Sequence, residues 1–185
     1  GKRWMSRDFL RAGFAYPFNV CWVKRLSGYV NAGNTEARRL NEHFGYQEEA
    51  RLAGAAPDGG DVILYNDYIF VGTYKQADFK QFKTGRTNVE FVEYIKAKFP
   101  NKKVLDFELK KNDENPYEGI LHLDCTFNPV GKDKAIIYKD GFLFEHEYQQ
   151  IVDIFGKENL FEVTKEEMYW MNPNVFSISP DVVVS

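Results

Sequence analysis

The sequence predicts an α/β fold assembled from a repeated strand–strand–helix–strand unit. Two observations carry that prediction. Short apolar runs are separated by polar turns and by segments of helical period, and their order recurs after roughly 60 residues, near the range of repeat architectures. The chain is long enough, at 185 residues, to bury a core around such units.

The elements follow in order. Residues 37–44 (ARRLNEHF) read as a helix, with Asn34 and Thr35 upstream to cap it. The run PDGGDVILYNDYIFVG reads as a hairpin: Val62, Ile63 and Leu64 face Tyr68 to Val71 across the turn Asn66-Asp67. Thr87-Asn88 opens a helix over 89–99, where Phe91, Tyr94, Ile95 and Phe99 recur at helical spacing. VLDFEL, 104–109, is a short strand. The unit then starts again. ILHLDCTFNPV and KAIIYKDGFLF read as two strands, 144–155 as a helix, and 160–164 as a strand. NPNVFSISPDVVVS begins a further strand pair around Ser179-Pro180-Asp181. Residues 74–83 (YKQADFKQFK) read as a polar loop insertion. A unit of this size cannot bury its own apolar face, so the repeat implies a ring or a stack. One domain over 1–185 is expected. The abrupt start and the end on an apolar strand suggest a chain truncated at both ends.

Composition narrows the function. Hydrophobic residues make up 44% and charged residues 28%, and no apolar run is long enough for a transmembrane helix. The net charge is −3 with the basic residues scattered, which points away from nucleic acid and from anionic membranes as partners. The two cysteines, Cys21 and Cys125, sit in apolar or aromatic surroundings and fit reduced thiols in a cytoplasmic protein.

His122, Asp124 and Cys125 stand within four residues. Read as a strand, the alternation Leu121-His122-Leu123-Asp124-Cys125 sends His122 and Asp124 to one face and the thiol to the other. Spacing alone favours an ordinary polar face for the pair, and makes Cys125 a core thiol. Asp58 and Asp61 in PDGGD alone read as turn residues. Arg7-Asp8 reads as a surface ion pair, and TGRTN, with Arg86, as the start of a helix. The spacing of His122, Asp124, His146 and Glu147 matches no zinc signature. With three histidines and no G-x-S-x-G, a serine hydrolase is a poor fit, and no P-loop or dinucleotide fingerprint is present.

Taken in order, WMSRDF, DGGD, GRTN and HLDCTFNPVG resemble the motifs of the guanidine-modifying enzyme superfamily: arginine deiminases, amidinotransferases and dimethylarginine dimethylaminohydrolases. HLDCTFNPVG is most similar to the amidinotransferase form and GRTN to the dimethylarginine hydrolases. The resemblance implies a pentein fold, an α/β propeller of ββαβ modules, incomplete here. It also implies attack of a cysteine thiolate on the guanidinium carbon of arginine or a derivative, giving a covalent amidino-cysteine. It would make His122 the general acid/base and Asp58 its orienting carboxylate. Asp8 and Asp124 would bind the guanidinium, Arg86 the substrate carboxylate, and Asp61 would belong to the substrate-binding group. No metal and no organic cofactor are implied, and a homo-oligomer is possible within the family. The family's nucleophile lies beyond the last strand pair, so it is expected outside this chain. The rival expectation is a catalytically inactive guanidine-binding or scaffold domain.

Overall fold

The chain places its polar turns where the strands of each unit begin, and the structure is best followed from those turns. A computed structural model describes Ala15, Val30 and residues 34–47, 58–179 and 181–184. Asp8 and Cys21 lie outside the described residues, as does Pro180 of the last expected turn. The chain divides into two units, Gly1–Val30 and Asn31–Ser185.

The first helix, α1 (Thr35–His43), starts where its cap predicts: Asn34 Oδ1 accepts the Ala37 N–H at 3.0 Å. The first sheet holds β1 (Val62–Tyr65), β2 (Tyr68–Thr73) and β3 (Lys103–Glu108) in that order. β1 and β2 are antiparallel, with Tyr65 opposite Tyr68, and Asn66 takes φ +50 in the tight turn between them. β2 and β3 are parallel, and α2 (Val89–Lys98) makes the crossover. Asn88 caps α2 by accepting the Phe91 N–H at 3.2 Å.

The second sheet repeats the pattern. β4 (Phe127–Val130) and β5 (Lys134–Ile137) are antiparallel, and β5 is parallel to β6 (Leu160–Glu162) across α3 (Glu145–Phe155). Gly156, at φ +80, ends α3 in a conformation that side chains rarely adopt. A short helix, α4 (Lys165–Tyr169), precedes the hairpin of β7 (Phe176–Ser179) and β8 (Val182–Val184). Among the described residues the strand–strand–helix–strand repeat is therefore present twice, followed by a third hairpin. The described residues form three separate sheets, none of them closed.

Each face of β2 serves a different core. Ile69 and Val71 pack on Phe91, Val92 and Ile95 of α2. Phe70, on the opposite face, joins the larger core with Phe107, Phe127, Ile137, Ile151 and Phe155, which spans both sheets. Glu147 ties the units together from α3. Its buried carboxylate accepts the N–H of Glu108 at 2.7 Å and of Phe144 at 3.2 Å.

Two expectations are corrected. Residues 121–125 are not strand: Leu123–Cys125 form a single 3-10 turn, and β4 starts only at Phe127. The buried carboxylate of Asp61 takes the Leu123 N–H at 2.9 Å, and Thr126 N–H turns back to Leu123 O at 3.0 Å. Those amides are thereby lost to any strand ladder. Likewise 139–141 is a turn rather than a continuation of β5, and the 74–83 insertion contains a 3-10 turn, Phe79–Gln81. No helix among the described residues is long and apolar enough to cross a membrane.

Candidate functional site

Asp58 and His122 occupy equivalent places in successive repeats. Each is the extended residue that immediately precedes a 3-10 turn, Gly59–Asp61 before β1 and Leu123–Cys125 before β4. The fold sets the two turns side by side. His122 Nε2 then lies 3.2 Å from Asp58 Oδ2, and Nδ1 lies 4.0 Å from Asp124 Oδ1. The imidazole thus stands between two carboxylates.

The approach of Asp58 to Nε2 is close but out of line, so this buried nitrogen has no well-directed hydrogen bond. An unsatisfied buried polar group costs on the order of 1–3 kcal/mol, and native proteins tolerate few of them. Burial pushes the Asp58 carboxyl up, but the charges of His122 and Arg86 outweigh it and hold the group below its usual range. Arg86, half exposed, places Nη1 3.2 Å from the same Oδ2. Asp58 is fixed from behind by Thr87, whose hydroxyl accepts its N–H at 2.9 Å.

Asp61 stands elsewhere than expected. It is 1% exposed, and both oxygens are engaged: Oδ2 accepts from Thr87 Oγ1 at 2.6 Å, Oδ1 from the Leu123 N–H at 2.9 Å. It faces the protein rather than open space, and through Leu123 it holds the turn that carries His122. Thr73 Oγ1 in turn donates to Thr87 O at 2.9 Å, which anchors this brace to β2.

Burial pushes Asp61 up to about 6, against the pull of Thr87, Lys111 and His122. A carboxylate with a raised folded-state pKa binds its proton more tightly folded than unfolded. Its stabilising contribution is therefore fullest below the unfolded value and is lost as pH rises through about 6. Asp61→Asn, which stays neutral, should gain on the wild type between pH 4 and 7, by up to about 3 kcal/mol for a shift of roughly two units. Urea unfolding of both proteins across that range measures it; a difference that does not change with pH would contradict the buried charge.

Lys111 was not expected at the site. Its Nζ donates to Ile120 O at 2.9 Å and to Leu121 O at 3.0 Å, the two carbonyls just before His122. Burial pulls its pKa down, and the Asp61 carboxylate pulls it back up. A lysine that reaches nine residues along the chain leaves no local periodicity, and only the adjacent pair Lys110-Lys111 was visible. Gly60 is the other missed residue. A Cβ there would stand 2.7 Å from His122 Nδ1 and 2.9 Å from both Asp124 oxygens, so only glycine allows this approach.

Cys125 is 3% exposed, and burial pushes its thiol up to about 12. Reactive thiols are lowered by cationic surroundings, whereas Cys125 donates to Asp124 Oδ1 at 3.5 Å. It is a buried thiol, as expected, although the turn rather than strand alternation places it. Burial also raises the Asp124 carboxyl. Asp124 borders an open hollow of about 390 Å³, with Gly59, Gly60, Ile63, Leu64 and Asn174 among its walls.

No protein-family model matches the chain. Among curated proteins it is similar to the uncharacterized protein YkgA of Bacillus subtilis (strain 168), 26% identical over 136 residues, which are 73% of this chain and 40% of YkgA. Among solved structures it is similar to the N-terminal domain of ArgZ, an arginine dihydrolase of cyanobacteria, bound to substrate. The TM-score is 0.59 at 18% identity, over 79% of this chain and 48% of that one. The same ArgZ domain has been solved covalently bound to a reaction intermediate. DDAH from Pseudomonas aeruginosa, complexed with citrulline, gives a TM-score of 0.54 at 17% identity, over 83% of this chain and 51% of that one. The chain thus spans about half of these two solved chains and 40% of YkgA. It shares the fold of these solved structures over about four fifths of its length.

Proposed function

We propose that this chain carries the histidine–carboxylate part of an enzyme that modifies arginine or an arginine-like guanidine through a covalent amidino-cysteine. The observation that carries the reading is the imidazole of His122, set between Asp58 and Asp124. The motif resemblance and the shared fold support it.

On this reading Asp124 accepts N–H bonds from a guanidinium bound in the hollow it borders, and the apolar stem of the substrate lies along Ile63 and Leu64. The motif resemblance makes Asp8, outside the described residues, the second guanidinium carboxylate. Cys125, buried and protonated, is not the attacking thiolate. As the sulfur–carbon bond forms and a carbon–nitrogen bond breaks, His122 gives its proton to the departing amine. It then takes a proton from the water or acceptor amine that cleaves the sulfur–carbon bond and frees the thiolate. Asp58, 3.2 Å from Nε2, orients the imidazole and stabilises the imidazolium. Asp61, Thr87 and Lys111 hold the turn. Arg86 turns toward the substrate carboxylate from its place beside Asp58. The repeats complete a propeller together with further modules.

A second reading is guanidine binding without chemistry. Both readings require Asp124. Titrating L-arginine into the full-length protein by calorimetry should show one site, weakened about 10- to 100-fold in Asp124→Asn, the worth of a hydrogen bond to a charged group. Equal affinity in the variant would overturn the assignment.

A further inference from the structure

We propose that His122, Asp124 and Cys125 form a three-ligand site for a borderline divalent cation of the zinc type, and that its occupancy turns the site off. The second half of this statement rests on the function proposed above; the first does not.

The inference comes from the turn at Leu123–Cys125. On a strand, Cys125 would point away from His122 and Asp124. The 3-10 turn brings the thiol round to their side instead. One donor atom from each residue then lies within 4.8 Å of the other two. Cys125 Sγ is 3.5 Å from Asp124 Oδ1, which is 4.0 Å from His122 Nδ1. Bonds of about 2.0–2.3 Å to a tetrahedral ion place neighbouring ligand atoms about 3.5 Å apart, so modest side-chain rotations complete the triangle. The backbone beneath is pinned by Asp61 at Leu123 and by Lys111 at residues 120 and 121, which holds the three ligands in register.

The donors choose the ion. One nitrogen, one oxygen and one sulfur suit Zn²⁺ or Co²⁺, whereas Mg²⁺ and Ca²⁺ take oxygen alone. Three protein ligands leave a fourth position for water or an incoming group. Binding forms a metal–sulfur bond, breaks the S–H contact to Asp124 and releases the thiol proton to solvent; nothing is oxidised or reduced. An ion so placed takes both the proton-transfer imidazole and the guanidinium carboxylate. Metal binding and substrate binding are then mutually exclusive.

The test is a Co²⁺ titration of the metal-free full-length protein at neutral pH, followed by absorption. We expect one equivalent bound, with a sulfur-to-cobalt charge-transfer band and displacement by Zn²⁺. The band should vanish in Cys125→Ser and persist in Cys21→Ser. Asp124→Asn, in which a half-buried carboxylate is replaced isosterically, should weaken Co²⁺ by more than the ~10–100-fold that loss of an outer partner costs. Absence of the band in the wild type, its persistence in Cys125→Ser, or unchanged affinity in Asp124→Asn would each overturn the site. The readout is independent of arginine turnover, so failure of the proposed enzyme activity leaves this test intact. If Co²⁺ binds as expected but arginine binding is unaffected by it, the switch is overturned and the metal site stands.

Discussion

Replacing Phe70 by alanine is expected to cost about 3–5 kcal/mol of stability, the range for emptying a large aromatic site in a core. That is a large part of the ~5–15 kcal/mol that holds a domain folded. Phe70 is fully buried, and its ring lies 5.4 Å from Phe127 in a T-shaped contact, 5.9 Å from Phe107 and 6.4 Å from Phe155. Phe107 belongs to the first sheet, Phe127 to the second and Phe155 to α3. One side chain thus seats the second repeat against the first. Asp58 and His122 belong to different repeats, so their 3.2 Å approach depends on that seating. Ile69→Val, on the other face of β2 against α2, should cost only about 0.5–1.5 kcal/mol. Urea unfolding of the three proteins measures both; a cost for Phe70→Ala below about 1 kcal/mol would show that the repeats are held by something else.

Where local chemistry decides structure, the sequence was legible. Asn34 and Asn88 cap the helices they were expected to cap. The Asn66-Asp67 turn and the two strands around it stand as read. The repeat was visible because turns and periods recur along the chain. The short helix α4 escaped notice although Thr164 and Glu167 form a reciprocal cap at its start; five residues carry too little apolar period to register.

The failures share one cause. Leu121-His122-Leu123-Asp124-Cys125 alternates as a strand should, yet its central amide is taken by Asp61, 62 residues earlier in the chain. Asp61 itself looked like a turn residue or a substrate ligand because nothing local reveals that Thr87 and Leu123 will claim it. Lys111 is a third case: its two carbonyl partners are legible only once the loop after it closes. Motif order pointed to the proposed site, whereas its arrangement rests on long-range hydrogen bonds.

His122→Ala is expected to have the largest effect on activity. General acid–base catalysis by a positioned side chain is worth about 10²–10⁴-fold, and on the proposed pathway His122 acts in both halves of the reaction. Asp124, with Ile63 and Leu64 along the same hollow, is left in place by the substitution, so arginine should still bind with nearly its original affinity. Loss of turnover with binding retained separates a chemical role from a structural one. It also separates the enzyme from a guanidine-binding domain, in which the histidine would have no rate to lose.

The most direct test of the central claim is therefore arginine turnover by the full-length His122→Ala protein beside the wild type, at saturating arginine. A fall of about 10²-fold or more is the predicted result. Turnover equal to that of the wild type would contradict the assignment of His122, and with it the proposed chemistry of the site.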